Sequence, residues 1–370
     1  MEHPDTIDAM ASLAATHQYL GKYTEAEKLE MQVLDARTRM LGVEHPNTIT
    51  AMANLAATYR NLGKYKEAEK LQIQVLDARN RILGVKHPGT ITAMANLAAT
   101  YRHLGKCTEA ENLEMQVLNA RNRILGVEHP GTIRAMANLA ATYQNMGKYT
   151  EAEKLQIQVL DARNTILGME HPDTITAVAN LAVTYGSLRK YTEAEKLGMQ
   201  ALDARNKLFG VEHPDTLNSM GNLAVTYGIL GKHTEAEMLE VQVLNARNRI
   251  LGVEHPGTIR AMANLAATYQ NLRKHTEAEK LQIQVLNARD RILGVEHPHT
   301  ILAMEKLAAT LRYLGKYKQA EKLSIQAQEV KGRMPGAESP YTIGMVMANA
   351  QHITCGIGGD IGHLTRNSIE

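Results

Sequence analysis

The dipeptide His-Pro occurs at His3, His45, His87, His129, His171, His213, His255 and His297, each 42 residues after the last. Between these marks the text scarcely changes: the units beginning at His129 and His255 differ at seven of 42 positions. A short unit copied eight times cannot surround one globular core. Each copy must bury its apolar face against its neighbours, and a stack of such copies is a solenoid. The units span 3–44, 45–86, 87–128, 129–170, 171–212, 213–254, 255–296 and 297–338. A ninth start, Ser339-Pro340-Tyr341-Thr342, keeps the spacing without the histidine. Residues 339–353 read as a degenerate first helix. Residues 354–370, with Gly356, Gly358, Gly359 and Gly362, read as a flexible tail.

Within each unit the pattern is two helices. In the first copy Ile7, Met10, Ala11, Ala14 and His17 recur at helical spacing, with Leu13 and Leu20 widening the stripe. Pro4 suits the first helical position, and Gly21 a left-handed stop. The second helix opens on Thr24-Glu25-Ala26-Glu27, which predicts a capping box between Thr24 and Glu27. Its inward stripe is Ala26, Leu29, Val33, Ala36 and Met40, and Gly42 ends it. Glu25, Glu27 and Lys28 read as a solvated outer face. Each helix is roughly 25 Å long at about 1.5 Å per residue. Ala11, Ala14 and Ala26 allow close helix approach, so the core needs few aromatics; the chain has no Trp and one Phe, Phe209. Arginine replaces the stop glycine at Arg189 and Arg273, which predicts a strain of roughly 1 kcal/mol at each turn.

Composition narrows the partners. Forty-one Lys and Arg against 39 Asp and Glu give a net charge of +2, so no bulk field points to nucleic acid or an anionic membrane. No apolar run approaches the 18 residues of a membrane span. Two cysteines, Cys107 and Cys355, make no disulfide framework, and a cytoplasmic setting is expected. The eight pre-proline histidines stand one per repeat without a local Cys or carboxylate cluster, so they read as helix-start residues and no metal or cofactor is expected. Every residue is duplicated along the array, whereas an active site needs unlike groups to converge; the expectation is a protein that is not an enzyme.

The run Leu55-Ala56-Ala57-Thr58-Tyr59, followed by Gly63, Tyr65, Ala68 and Val75, resembles the tetratricopeptide repeat (TPR) pattern. The 42-residue length, the HPxT opening and the ending LGVEHP resemble the kinesin light chain subtype. The resemblance covers residues 1 to about 353, and near-identical units of this kind are also known from fungal STAND/NLR proteins. It implies an all-α fold, an α-solenoid in which antiparallel helix pairs form a right-handed superhelix with a concave inner groove. The chain carries neither a heptad coiled coil nor a GxxxxGK[ST] phosphate loop, so motor attachment and nucleotide switching are not expected of it. Met1-Glu2 repeats the internal Met169-Glu170, so the sequence opens at the last two positions of a unit; a piece of a longer array is expected.

Columns that vary between copies are candidates for ligand contact. The sixth position reads Asp8, Thr50, Thr92, Arg134, Thr176, Asn218, Arg260, Leu302; the sixteenth reads Gln18, Arg60, Arg102, Gln144, Gly186, Gly228, Gln270, Arg312. Offsets of about ten residues return to nearly one helix face. Between them runs an asparagine column, Asn54, Asn96, Asn138, Asn180, Asn222 and Asn264, flanked by Ser12 and Lys306. By resemblance this side lines the groove. Carboxamides that both donate and accept suit the backbone of an extended segment; the alternative is that each asparagine bonds to an adjacent repeat. Arg60, Arg102, Arg134, Arg260 and Arg312 meet only Asp8 as an acid among these columns, so an acidic protein or peptide ligand is expected, with solvated charge as the alternative. The function expected is a binding scaffold, either the recognition array of a fungal STAND/NLR-like system or a cargo adaptor like kinesin light chain; a structural array that self-associates end to end is the third alternative. The tyrosine column, Tyr59 to Tyr269, is expected in the core.

Overall fold

The computed structural model describes residues 3–333, so the degenerate helix expected at 339–353 and the glycine tail at 354–370 lie outside the described residues. Among the described residues there are sixteen α-helices and no strand. They fall into two compact units that divide between Ala162 and Arg163. The first holds α1 (Pro4–Tyr19), α2 (Tyr23–Leu41), α3 (Pro46–Asn61), α4 (Tyr65–Leu83), α5 (Pro88–His103), α6 (Cys107–Leu125), α7 (Pro130–Asn145) and most of α8 (Tyr149–Leu167). The second holds α9 (Pro172–Ser187), α10 (Tyr191–Phe209), α11 (Pro214–Ile229), α12 (His233–Leu251), α13 (Pro256–Asn271), α14 (His275–Leu293), α15 (Pro298–Tyr313) and α16 (Tyr317–Arg333). Odd-numbered helices are helix A of a repeat and even-numbered ones helix B. From α1 to α7, and again from α9 to α16, each helix packs on the next.

Local chemistry sets the ends. Every helix A starts on proline, whose fixed φ and missing N–H cost nothing there. The histidine before it is the N-cap: Nδ1 of His87 accepts from the amide of Gly89 at 3.0 Å, and the same bond recurs at all eight histidines. Helix A ends in a Schellman turn, as where the Lys64 amide donates to the Tyr59 carbonyl at 2.8 Å around Gly63 at φ 74°. Arg189 and Arg273 adopt that left-handed conformation with φ of 63° and 58°.

The predicted capping box does not form. The N-cap of α2 falls two residues earlier, at Lys22, with no side-chain cap bond. Glu27 is engaged elsewhere, accepting from Lys64 Nζ of the next repeat at 2.6 Å. Glu69, Glu111, Glu195, Glu237 and Glu279 make the same bridge, so this column is an inter-repeat clasp and not a solvated face. Those lysines also lie over the tyrosine column, Lys64 Nζ standing 5.7 Å from the Tyr59 ring centroid. The tyrosines are therefore half-buried beneath lysines, not core residues.

One core module repeats within each unit. Ile49 and Met52 of α3, Val75 and Ala78 of α4, and Ala93 of α5 form one cluster; Ile259, Met262, Val285, Ala288 and Ala303 form its counterpart. Each fully buried Ile, Met or Val contributes about 1.5–3 kcal/mol, and Ala68, Ala110 and Ala278, all fully buried, set the close helix approach. Met40, expected inward, is 44% exposed, whereas Glu30, ten residues earlier on the same helix, is 5% exposed and belongs to the buried face. Leu13 is 48% exposed although its counterpart Leu55 is buried, because no described helix pair precedes α1.

Candidate functional site

The asparagine column lies on a solvent-accessible side of helix A in both units. In the first, Asn54 is exposed while Asn96 and Asn138 are half-buried; in the second, Asn180 is exposed while Asn222 and Asn264 are half-buried. The carboxamides of Asn54, Asn96, Asn138, Asn222 and Asn264 make no hydrogen bond among the described residues; the bonds that reach Asn96, Asn138 and Asn222 go to their backbone carbonyls. These five amides therefore do not tie one repeat to the next.

The arginines separate into two kinds. Arg102 turns inward: its Nε is 3.5 Å from Glu114 Oε1 and its Nη1 3.5 Å from the Asn138 carbonyl. Arg312 Nη2 donates to Ser324 Oγ at 2.6 Å. Arg60 is half-buried and is also engaged. The acid that Arg102 meets is on helix B, twelve residues on, and so was invisible among the helix A columns. Arg134 and Arg260 are different. Arg134 is exposed, Arg260 half-buried, and neither has a hydrogen bond or ion pair among the described residues.

A row of helix B arginines stands beside them that the sequence reading missed. Arg121 Nη1 donates to the Gly131 carbonyl at 2.9 Å, Arg247 to that of Gly257 at 3.0 Å, and Arg289 to that of His299 at 2.9 Å. Arg37, Arg79, Arg163 and Arg205 repeat the contact. The second guanidinium nitrogen faces the sixth column: Arg37 pairs with Asp8 at 2.7 Å, and Arg247 donates to Asn218 Oδ1 at 2.8 Å. Burial pulls the Arg247 guanidinium down to about 10, and neighbouring Arg260 adds to the shift. Arg121 is lowered by burial and then by Arg134, and Lys306 by burial and then by Arg289. Three like-charged pairs thus sit on the helix A side: Arg121–Arg134 in the first unit, Arg247–Arg260 and Arg289–Lys306 in the second. The signal was present in sequence, since Ala-Arg recurs in helix B of seven copies.

The sixteenth column is matched to a buried position twelve residues later on helix B. Gln18 donates to Glu30 at 2.8 Å, Arg102 faces Glu114, and Arg312 meets Ser324. Glu240 has only Gly228 at the matching place; Thr268 hydrogen-bonds to it, its Oε2 has no partner among the described residues, and burial pushes its carboxyl up to about 7. In the fifth repeat both positions are glycine, Gly186 and Gly198, and a cavity opens there.

No described helix is long and apolar enough to cross a membrane. No curated protein matches the sequence. Among solved structures, the nearly identical TPR-like repeats of a putative kinesin light chain from Podosopora anserina are 31% identical, covering 56% of this chain and 99% of theirs at a TM-score of 0.50. Two more distant structures share the fold: the quorum sensor NprR from B. thuringiensis (13% identity, 84% of this chain and 85% of that one, TM-score 0.64), and a STAND protein with a tetratricopeptide repeat sensor, PH0952 from Pyrococcus horikoshii (14%, 94% and 50%, TM-score 0.61). The tetratricopeptide repeat family model matches residues 5–69, 47–123, 115–165, 131–207, 175–249 and 257–331. With helix pairs at a 42-residue spacing and matches along nearly all of the described length, the chain belongs to the tetratricopeptide repeat family.

Proposed function

We propose that the helix A faces bind an extended protein segment, and that this segment carries acidic residues. The observation that carries the reading is the column of unpartnered carboxamides, at Asn54, Asn96 and Asn138 in one unit and Asn222 and Asn264 in the other. These amides reach solvent and hold nothing within the fold, so their donors and acceptors stand free to pair with the backbone of a segment laid along the face. The like-charged pairs beside the column, with Arg134 and Arg260 unpaired, supply complementary charge for an acidic side chain. Arg60, Arg102 and Arg312 are already engaged inside the protein, Arg102 with Glu114 and with the Asn138 carbonyl of the next repeat and Arg312 with Ser324, and so offer less free charge than Arg134 and Arg260.

The chain on this reading is a non-enzymatic scaffold, the recognition array of a fungal STAND/NLR-like system or a fragment of one. Its support is the likeness to the Podosopora repeats together with the fold shared with the P. horikoshii tetratricopeptide sensor. The description of the Podosopora protein as a putative kinesin light chain keeps a cargo adaptor as the second reading. A cytoplasmic setting belongs to the same proposal and rests on two cysteines in 370 residues.

The test selects displayed random 12-residue peptides on the wild-type protein and measures each clone on two variants, Asn96→Ala/Asn138→Ala and Asn222→Ala/Asn264→Ala. Each lost amide contact costs about 0.5–1.5 kcal/mol, so the affected unit's clones, losing two, should weaken about fivefold or more. Helicity should stay unchanged, because the amides hold nothing internal. Clones that bind both variants within twofold of wild type would remove the asparagines from the site.

A further inference from the structure

Seven of the eight copies place at least one side chain larger than glycine at the matched helix A and helix B positions; Gly186 and Gly198 leave both empty. Neither glycine is there for its backbone, since both lie inside helices and neither has a positive φ. Gly186 is not there for close packing, since a Cβ on it would meet nothing within 4 Å; a Cβ on Gly198 would meet only the Leu223 side chain, Cδ1 at 3.2 Å and Cβ at 3.9 Å, whose end can give way by a few tenths of an ångström. Each costs its helix about 1 kcal/mol relative to alanine. What the pair produces is a cavity of about 50 Å³. One water needs about 10–15 Å³ measured this way, so the space takes about four non-hydrogen atoms, the size of an isobutyl group.

The lining decides what enters. Ala182, Val183, Leu223 and Val225 are apolar walls, and half-exposed Ile229 stands at the mouth. The three hydroxyls present are already committed: Ser187 donates to the Val183 carbonyl at 3.2 Å, Thr226 to that of Asn222 at 3.3 Å, and Ser219 accepts from Arg205 at 2.8 Å. The lining also holds the carboxamide of Asn222, which makes no hydrogen bond among the described residues, and the O–H of Ser219, whose oxygen accepts from Arg205. A guest therefore finds apolar walls inside and one backbone-binding amide at the edge.

We propose that the fifth and sixth repeats hold a specificity pocket for one branched aliphatic side chain, Val, Ile or Leu, of an extended peptide whose backbone is held at Asn222. This rests on the helix A face being the peptide site. The aliphatic group replaces the pair of side chains that other copies carry, and its burial selects the register in which the segment lies along the second unit.

The filled variant is Gly186→Gln/Gly198→Gln, which installs the Gln144/Gln156 pair of the fourth repeat; Gly186→Leu alone fills the space through the position with open room. Melting temperature and helicity report folding, and both should equal or exceed wild type. Twelve-residue display clones selected on the full wild-type chain should share a recurrent Val, Ile or Leu. A synthetic peptide from such a clone, followed by fluorescence anisotropy, should lose at least tenfold in affinity on either filled variant. It should lose as much on wild type when its aliphatic residue becomes alanine, and the two losses should not add. Clones without a recurrent aliphatic residue, or clones that bind both filled variants within twofold, would overturn the pocket. If those clones still weaken on Asn222→Ala/Asn264→Ala, the pocket fails alone and the peptide face stands. If they ignore every variant, or if no clone is selected, both fail.

Discussion

Replacing Glu240 by Gln should stabilise the protein by an amount that grows as pH rises from about 4.5 to about 7. Glu240 is 5% exposed, its helix A counterpart is Gly228, and nothing cationic offsets its burial. Desolvation is the main cause of its raised value; the Thr268 hydrogen bond opposes the rise and Glu237 adds to it. A carboxyl moved from 4.5 to about 7 disfavours the ionised folded state by about 3 kcal/mol, at 1.36 kcal/mol per unit. The folded chain holds this proton more tightly than the unfolded one. Stability is therefore whole below about pH 4.5, falls as pH rises through about 7, and is flat above. Glutamine carries no such dependence and already fills the same position at Gln72, Gln156 and Gln282. The gain should be near zero at pH 4.5 and about 3 kcal/mol at pH 8. Because helical repeats open locally, amide exchange of α11, α12 and α13 is the assay, wild type and variant being compared at each pH. The comparison is Glu114→Gln, whose gain should be smaller, because burial raises the Glu114 carboxyl too but Arg102 and the Thr142 hydrogen bond offset part of the rise. An equal gain for Glu240→Gln at both pH values, or none at either, would refute the reasoning.

Arg273→Gly should raise stability by about 1 kcal/mol, since the left-handed turn at φ 58° is kept and its strain removed; a thermal melt of this variant and of Arg189→Gly checks it. Lys86 interrupts a column of inter-repeat bridges, Arg81–Glu44 at 2.7 Å and Arg291–Glu254 at 2.6 Å, and stands where Glu would face Arg123. Lys86→Glu should stabilise by at most about 0.5 kcal/mol at low salt, and the gain should vanish in 0.5 M salt, read as the difference between two melts.

The helices were legible because their signals are local. His-Pro marks each helix A start and glycine its end, and both act within four residues. The capping box failed for the opposite reason. Thr24 and Glu27 satisfy it on paper, but Glu27 finds Lys64, 37 residues away, and a charged partner outcompetes an exposed amide. The buried carboxylates and the helix B arginines were hidden because their partners lie on neighbouring helices, 10 to 29 residues away, and depend on how those helices are rotated. Yet part of this was in the sequence. Gln18 with Glu30, Arg102 with Glu114 and Gly186 with Gly198 are matched choices at two positions twelve apart, and comparing columns in pairs would have exposed the match.

That pairing changes what variation between copies means. The sixteenth column varies because its partner on helix B varies, so its changes answer internal needs first. The asparagine column behaves in reverse: six copies keep Asn although five of those amides hold nothing in the fold. Duplication explains some of the sameness, since two distant copies differ at seven positions. It does not explain the fifth and sixth copies. These diverge at Gly186, Gly198, Asn218, Ser219, Gly221 and Gly228, and still carry Asn180 and Asn222. Side chains around the amides were exchanged or deleted while the amides stayed. That is the pattern expected of a face that grips the backbone of a segment uniformly and tells segments apart by what lies beside the grip.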